Sequence, residues 1–127
     1  MNNNWIKPLF LVAALYDGVL GLAFLIAPEE IFTMYEVIPP NHLAYVQFPA
    51  MLLIIFAIIF FRIAMDPLRN RELILYGCAL KVSYCSLAFV YDMTTGISPM
   101  WIPWAWADLV FLVLFIGSWK VLGRQQA

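Results

Sequence analysis

The chain has 127 residues, 65% hydrophobic and only 12% charged, with a net charge of −1. A single unit covering 1–127 is expected at this length, and a soluble domain this small has too little interior to hide so much apolar surface. The balance leaves no basic field for nucleic acid, and the chain carries no glycine-rich phosphate loop, dinucleotide fingerprint or zinc-ligand spacing.

Four apolar stretches follow one another, at about 5–27, 43–65, 72–91 and 100–122. Each is near the roughly 20 residues that a helix needs to cross the hydrocarbon. None alternates with period two, so they read as helices rather than barrel strands. The expected fold is all-α, an integral membrane four-helix bundle.

The first span runs from Trp5 to Ala27. It is longer than the apolar region of a signal peptide, and Pro28 replaces a small-residue cleavage site, so it reads as retained. Pro28–Tyr35 is a short acidic and aromatic stretch. With Glu29 and Glu30 in its first turn it predicts an interfacial helix, which Pro39-Pro40 ends. The second span, Leu43–Met65, leads into a tight turn with Pro67 and Asn70 as breakers. The third, Glu72–Tyr91, is followed by a short turn from Thr94 to Pro99. The fourth runs from Met100 to Leu122, and Pro103 loosens its first turn.

Lys7, Arg62, Arg69, Arg71, Lys120 and Arg124 all fall at one set of span ends. The other ends carry Glu29, Glu30, Glu36 and Asp92 and no Lys or Arg. The positive-inside rule then predicts both termini in the cytoplasm, N-in/C-in. Trp5 and Trp119 are expected at the inner interface, and Tyr35, Tyr45, Tyr91 and Trp101 at the outer one.

Three ionisable residues lie inside the spans. Asp17 is ten residues beyond Lys7 and Lys81 ten beyond Arg71, each about 15 Å up a helix rising 1.5 Å per residue. Asp108 is twelve before Lys120 on a span running the other way, about 18 Å up. All three lie close to the midplane of a roughly 30 Å core. Charges at that depth face the protein interior, pair, and mark a function. The alternative is a purely structural ion pair that fixes helix packing.

Small residues surround these charges. Ala14, Gly18 and Gly21 on the first span favour close helix approach, as do Gly77, Cys78, Cys85 and Ala88 on the third. Tyr84, Trp104 and Gln47 lie outward of the charges, which predicts a pocket opening towards the outer leaflet. The candidate ligand-binding or relay residues are therefore Asp17, Lys81, Asp108, Tyr84, Trp104 and Gln47. For the aromatics and small residues, ordinary packing is the competing reading. No catalytic residue is identifiable. Cys78 and Cys85, seven apart on one helix face, are about 10 Å distant along the axis and too far for a disulfide. They read as small core residues. His42, the one histidine, lies in a polar loop, which argues against a haem ligand here. No metal or cofactor is expected.

Gly18-Val19-Leu20-Gly21 followed by Pro28, the turn from Arg62 through Asp66-Pro67 to Arg69, and Lys81 and Asp108 beyond it resemble a known pattern. They are similar to the small bacterial four-helix membrane proteins grouped around the DoxX-like family. The resemblance covers most of the chain and implies a multi-pass protein of the bacterial inner membrane. Such proteins are often accessory subunits of respiratory or redox systems. No catalytic motif carries over with it.

Three functions follow as expectations. The first is a small accessory or binding subunit whose buried Asp–Lys–Asp cluster contacts a membrane lipid, a bound quinone or a partner subunit in a larger complex. The second is proton-coupled transport or a proton relay, which four helices would need a homo-oligomer to build. The third is an intramembrane enzyme acting on a lipid or isoprenoid, using a carboxyl group in an apolar pocket as acid or base.

Overall fold

In the computed structural model, which describes residues 4–126, every regular element among them is helical. Helix α1 spans Ile6–Ile26, α2 Pro28–Met34, α3 Ala44–Met65, α4 Arg71–Met93 and α5 Ile102–Gln126. A single 3₁₀ turn, Pro99–Trp101, precedes α5. Helices α1, α3, α4 and α5, the last together with its 3₁₀ turn, are long and apolar enough to cross a membrane. The four expected spans are present, and the helix expected after the first of them, α2, ends one residue early. The last span continues four residues past Leu122.

Local chemistry sets the boundaries. The residue before a proline is pushed out of the helical region. Ala27 adopts φ −130° and ψ 49°, which stops α1, and Pro28 opens α2. Glu29 and Glu30 then meet the positive end of the α2 dipole. At the other end of α2, Glu36 takes a left-handed φ of 56°. The amides of Glu36 and Val37 bond back to the carbonyls of Thr33 and Phe32, a Schellman closure with glutamate where glycine is usual. Asn70 Nδ2 donates to the Arg62 carbonyl at 2.8 Å, closing the turn between α3 and α4. Gly96, at φ 91°, makes the tight turn between α4 and the 3₁₀ segment.

The helices form two antiparallel hairpins, α1 with α3 and α4 with α5. Contact within each hairpin is more extensive than contact between them. The two hairpins pack more closely at one end than at the other. At the end that carries the lysines and arginines, Ile6, Phe10, Phe60, Ile63, Ile74, Phe115 and Leu122 are all within 1% of full burial. Phe10 stacks on Phe115 with centroids 4.7 Å apart, and Phe60 tilts against Phe115 at 5.2 Å. At the acidic end the core is thinner. Phe24, Phe32 and Met100 meet under α2, and Trp101 stacks on Phe24 at 5.9 Å.

The outward faces are apolar. Leu15, Val19, Ile58 and Val113 are all well over half exposed. A soluble bundle rarely presents such a surface. Polar groups inside and apolar groups outside are what a lipid solvent selects.

Candidate functional site

Asp17, Lys81 and Asp108 meet where the sealed half of the bundle gives way to the open half. Lys81 is fully buried, Asp17 1% exposed and Asp108 8% exposed. Lys81 Nζ donates to Asp17 Oδ1 at 3.0 Å, Asp17 Oδ2 at 3.2 Å and Asp108 Oδ1 at 2.8 Å. An ammonium group has three protons, so its donor capacity is matched by these three oxygens. The cation also lies 5.2 to 5.7 Å from the ring centroids of Phe111, Tyr16 and Phe60. These contacts tie α1, α4 and α5 together at one depth.

Small residues make the meeting feasible. Gly77, one turn before Lys81, leaves room for Phe60 and Phe115, whose rings would lie 2.7 and 3.3 Å from a Cβ there. Cys85, one turn after, donates its thiol to the Ala105 carbonyl at 3.4 Å. Cys78 and Cys85 are both free thiols, and among the described residues no group of His, Cys, Asp and Glu could hold a metal ion.

A cavity of about 430 Å³ opens on the acidic-end side of the cluster. Asp17 and Asp108 line its inner end. Its walls are the apolar residues Leu20, Val46, Pro49, Leu53 and Leu80 with the rings of Tyr16, Phe24, Tyr84, Trp101 and Trp104. Tyr45 and Leu52, both exposed, stand at the edge formed by α3. Tyr16, Leu20, Phe24 and Trp104 also border a second, apolar groove of about 500 Å³ roofed by Ile31, Met34 and Tyr35. A third cleft of about 500 Å³ lies at the basic end, along Lys7, Asp66 and Gln125, and does not reach the cluster.

The sequence-derived candidates separate here. Asp17, Lys81 and Asp108 form the cluster; Tyr84 and Trp104 line the cavity it closes. The Tyr84 hydroxyl donates to the Trp101 carbonyl at 2.7 Å, joining α4 to the 3₁₀ turn before α5. Gln47 is elsewhere. Its side chain donates to the Leu25 carbonyl at 3.1 Å and does not border the cavity. It caps the end of α1, where the break at Ala27-Pro28 leaves carbonyls in need of donors. Trp101, expected as an interface anchor, also lines the cavity.

Tyr16 was not among those candidates. Its hydroxyl and the indole nitrogen of Trp104 are buried without a hydrogen-bond partner among the described residues. The two rings lie 6.3 Å apart in the wall shared by the cavity and the groove. Such orphaned polar atoms are costly. Here they sit beside the one buried charge cluster of the described residues. No family model, curated protein or solved structure matches the chain.

Proposed function

We propose that the protein is a small integral membrane binding subunit that holds an amphiphile of the outer leaflet. The ligand's head lies against the Asp17–Lys81–Asp108 cluster and its tail along the aromatic walls. One observation carries the reading. The cavity has an apolar body, a single charged end and a sealed floor, with Asp17 and Asp108 at that end. A volume of about 430 Å³ falls in the range of small-molecule sites, which are mostly apolar with a few convergent polar groups.

The proposal takes the basic end as cytoplasmic, on the Lys/Arg bias, in a bacterial inner membrane with both termini inside. The cavity then faces the outer leaflet. The DoxX-like resemblance extends the proposal to a role beside a larger membrane enzyme, with the bound amphiphile as the shared molecule.

A proton relay is less well supported. A path across the bundle would have to pass Phe10, Phe60 and Phe115, and the only buried polar side chain there among the described residues is Ser118. Its hydroxyl is spent on the Phe115 carbonyl at 2.7 Å.

The test is extraction. Protein purified from native membranes in mild detergent should carry an amphiphile near one per chain, seen by mass spectrometry of the solvent extract. Leu52→Trp, at the cavity edge, should deplete it. A lipid profile identical between the native protein and this variant would overturn the proposal.

A further inference from the structure

The cluster is one positive charge short. Two carboxylates share one ammonium group, and no other charged side chain is buried among the described residues. With both carboxylates ionised the group carries a formal charge of −1 inside an apolar bundle. Buried charge is tolerated when it is paired. Three carboxylate oxygens lie within 3.2 Å of the Lys81 ammonium, which matches its three protons and leaves none over.

The shortfall is localised. Both oxygens of Asp17 accept from Lys81, whereas Asp108 accepts through Oδ1 alone. Asp108 Oδ2 has no hydrogen-bond partner among the described residues. Asp108 is also the most exposed member of the cluster, and it lines the cavity. The unsatisfied acceptor is therefore the one that a ligand can reach. Tyr16 lines the same cavity, and its buried hydroxyl is without a partner among the described residues. The aromatic faces around it attract cations.

Resting on the binding function above, we propose that the cavity selects a monocationic amphiphile, a protonated amine on an aliphatic tail, whose ammonium group takes Asp108 Oδ2 and neutralises the cluster. An anionic head would meet like charge. A neutral head would leave the negative charge uncompensated. A single proton taken up by the cluster would also neutralise it, and in that case head-group charge would not matter to binding.

Head-group preference in the unmodified protein separates these cases. Dodecylamine, dodecanol and dodecyl sulfate share one tail and differ in charge. Each is titrated at neutral pH into protein held in a neutral maltoside detergent, and binding is read by calorimetry. Dodecylamine should bind saturably, about tenfold or more tighter than the other two, as expected for a charge-assisted hydrogen bond in an apolar site. Asp108→Asn removes the extra charge while keeping the side-chain size, and should abolish the preference. Leu52→Trp should weaken all binding. If the three probes bind equally and Leu52→Trp weakens all of them, an amphiphile site stands and the cationic assignment falls. If Asp108→Asn keeps the amine preference, the assignment to this carboxylate falls. If no probe binds, both this inference and the binding function fall.

Discussion

Gly21 and Ala50 bring α1 and α3 into backbone contact. A Cβ built on Gly21 would come within 2.6 Å of the Ala50 carbonyl oxygen, and within 3.1 Å of the Ile54 and Leu53 side chains. Gly18, one turn earlier, is looser, and a Cβ there would meet only the Ala57 methyl at 3.5 Å. Both glycines look alike in sequence. Only one is required by packing.

The two should respond differently to alanine. Gly21→Ala pushes against backbone, which cannot rotate away, and should cost about 1–3 kcal/mol as an overpacking change. Gly18→Ala adds an ordinary contact and a better helix former, and should be neutral or stabilising by up to about 1 kcal/mol. Thermal unfolding in detergent checks both. Equal melting temperatures for the two variants would mean that the close approach at Gly21 is not limiting.

Topology is open to a direct check. Thr95 lies in the exposed turn after α4, and Gln125 is exposed near the end of α5. With Cys78 and Cys85 replaced, Thr95→Cys should react with an impermeant maleimide on intact cells, and Gln125→Cys only after lysis. Asn3, ahead of α1 in the chain, lies outside the described residues. Labelling of Gln125→Cys from outside would reverse the orientation and put the cavity in the inner leaflet.

The charge cluster was legible because depth is countable. Rises from Lys7, Arg71 and Lys120 placed three residues on three helices at one level, and the side chains meet there. The cavity walls were only partly legible. Tyr16 is next to Asp17 in sequence but about 100° round the helix, so helical spacing set it on another face. Which gaps stay open depends on how two hairpins pair, and no single helix encodes that. Gln47 misled because it is polar and lies in the outer half of its span. Its partner is the Leu25 carbonyl, 22 residues away in the chain, near the break at Pro28. The end of α5 was missed for a similar reason. Gln126 is held by the Leu68 carbonyl at 3.0 Å and by Arg71 at 3.3 Å, contacts that hydropathy does not register.

Arg71 latches the basic end. Its Nε donates to the Trp119 carbonyl at 2.8 Å, and its guanidinium lies 4.0 Å from the Trp119 ring centroid. Arg71→Lys keeps the charge, and so the topology signal, but loses the planar fork and the stacking surface. The expected loss is about 1–2 kcal/mol of stability. An unchanged melting temperature would show that the latch contributes nothing.

The Lys81 cluster admits the sharpest separation of structure from function. Lys81→Met leaves Asp17, only 1% exposed, without the ammonium group that donates to both its oxygens. Removing one member of a buried pair typically costs about 3–5 kcal/mol. Replacing Asp17 with valine in the same protein removes the stranded charge and should recover much of that loss. Asp108 stays behind, but it borders the cavity and is the least buried of the three. Unfolding in detergent measures the stability of the single and double variants, and the amphiphile retained from native membranes measures function. A purely structural cluster predicts that the double variant regains both. A binding cluster predicts that stability returns while the set of retained amphiphiles changes, because Asp108 keeps its charge but has lost the lysine that holds its other oxygen. Should Lys81→Met alone leave both measurements unchanged, the cluster would be neither structural nor functional, and the site would have to be sought elsewhere in the bundle.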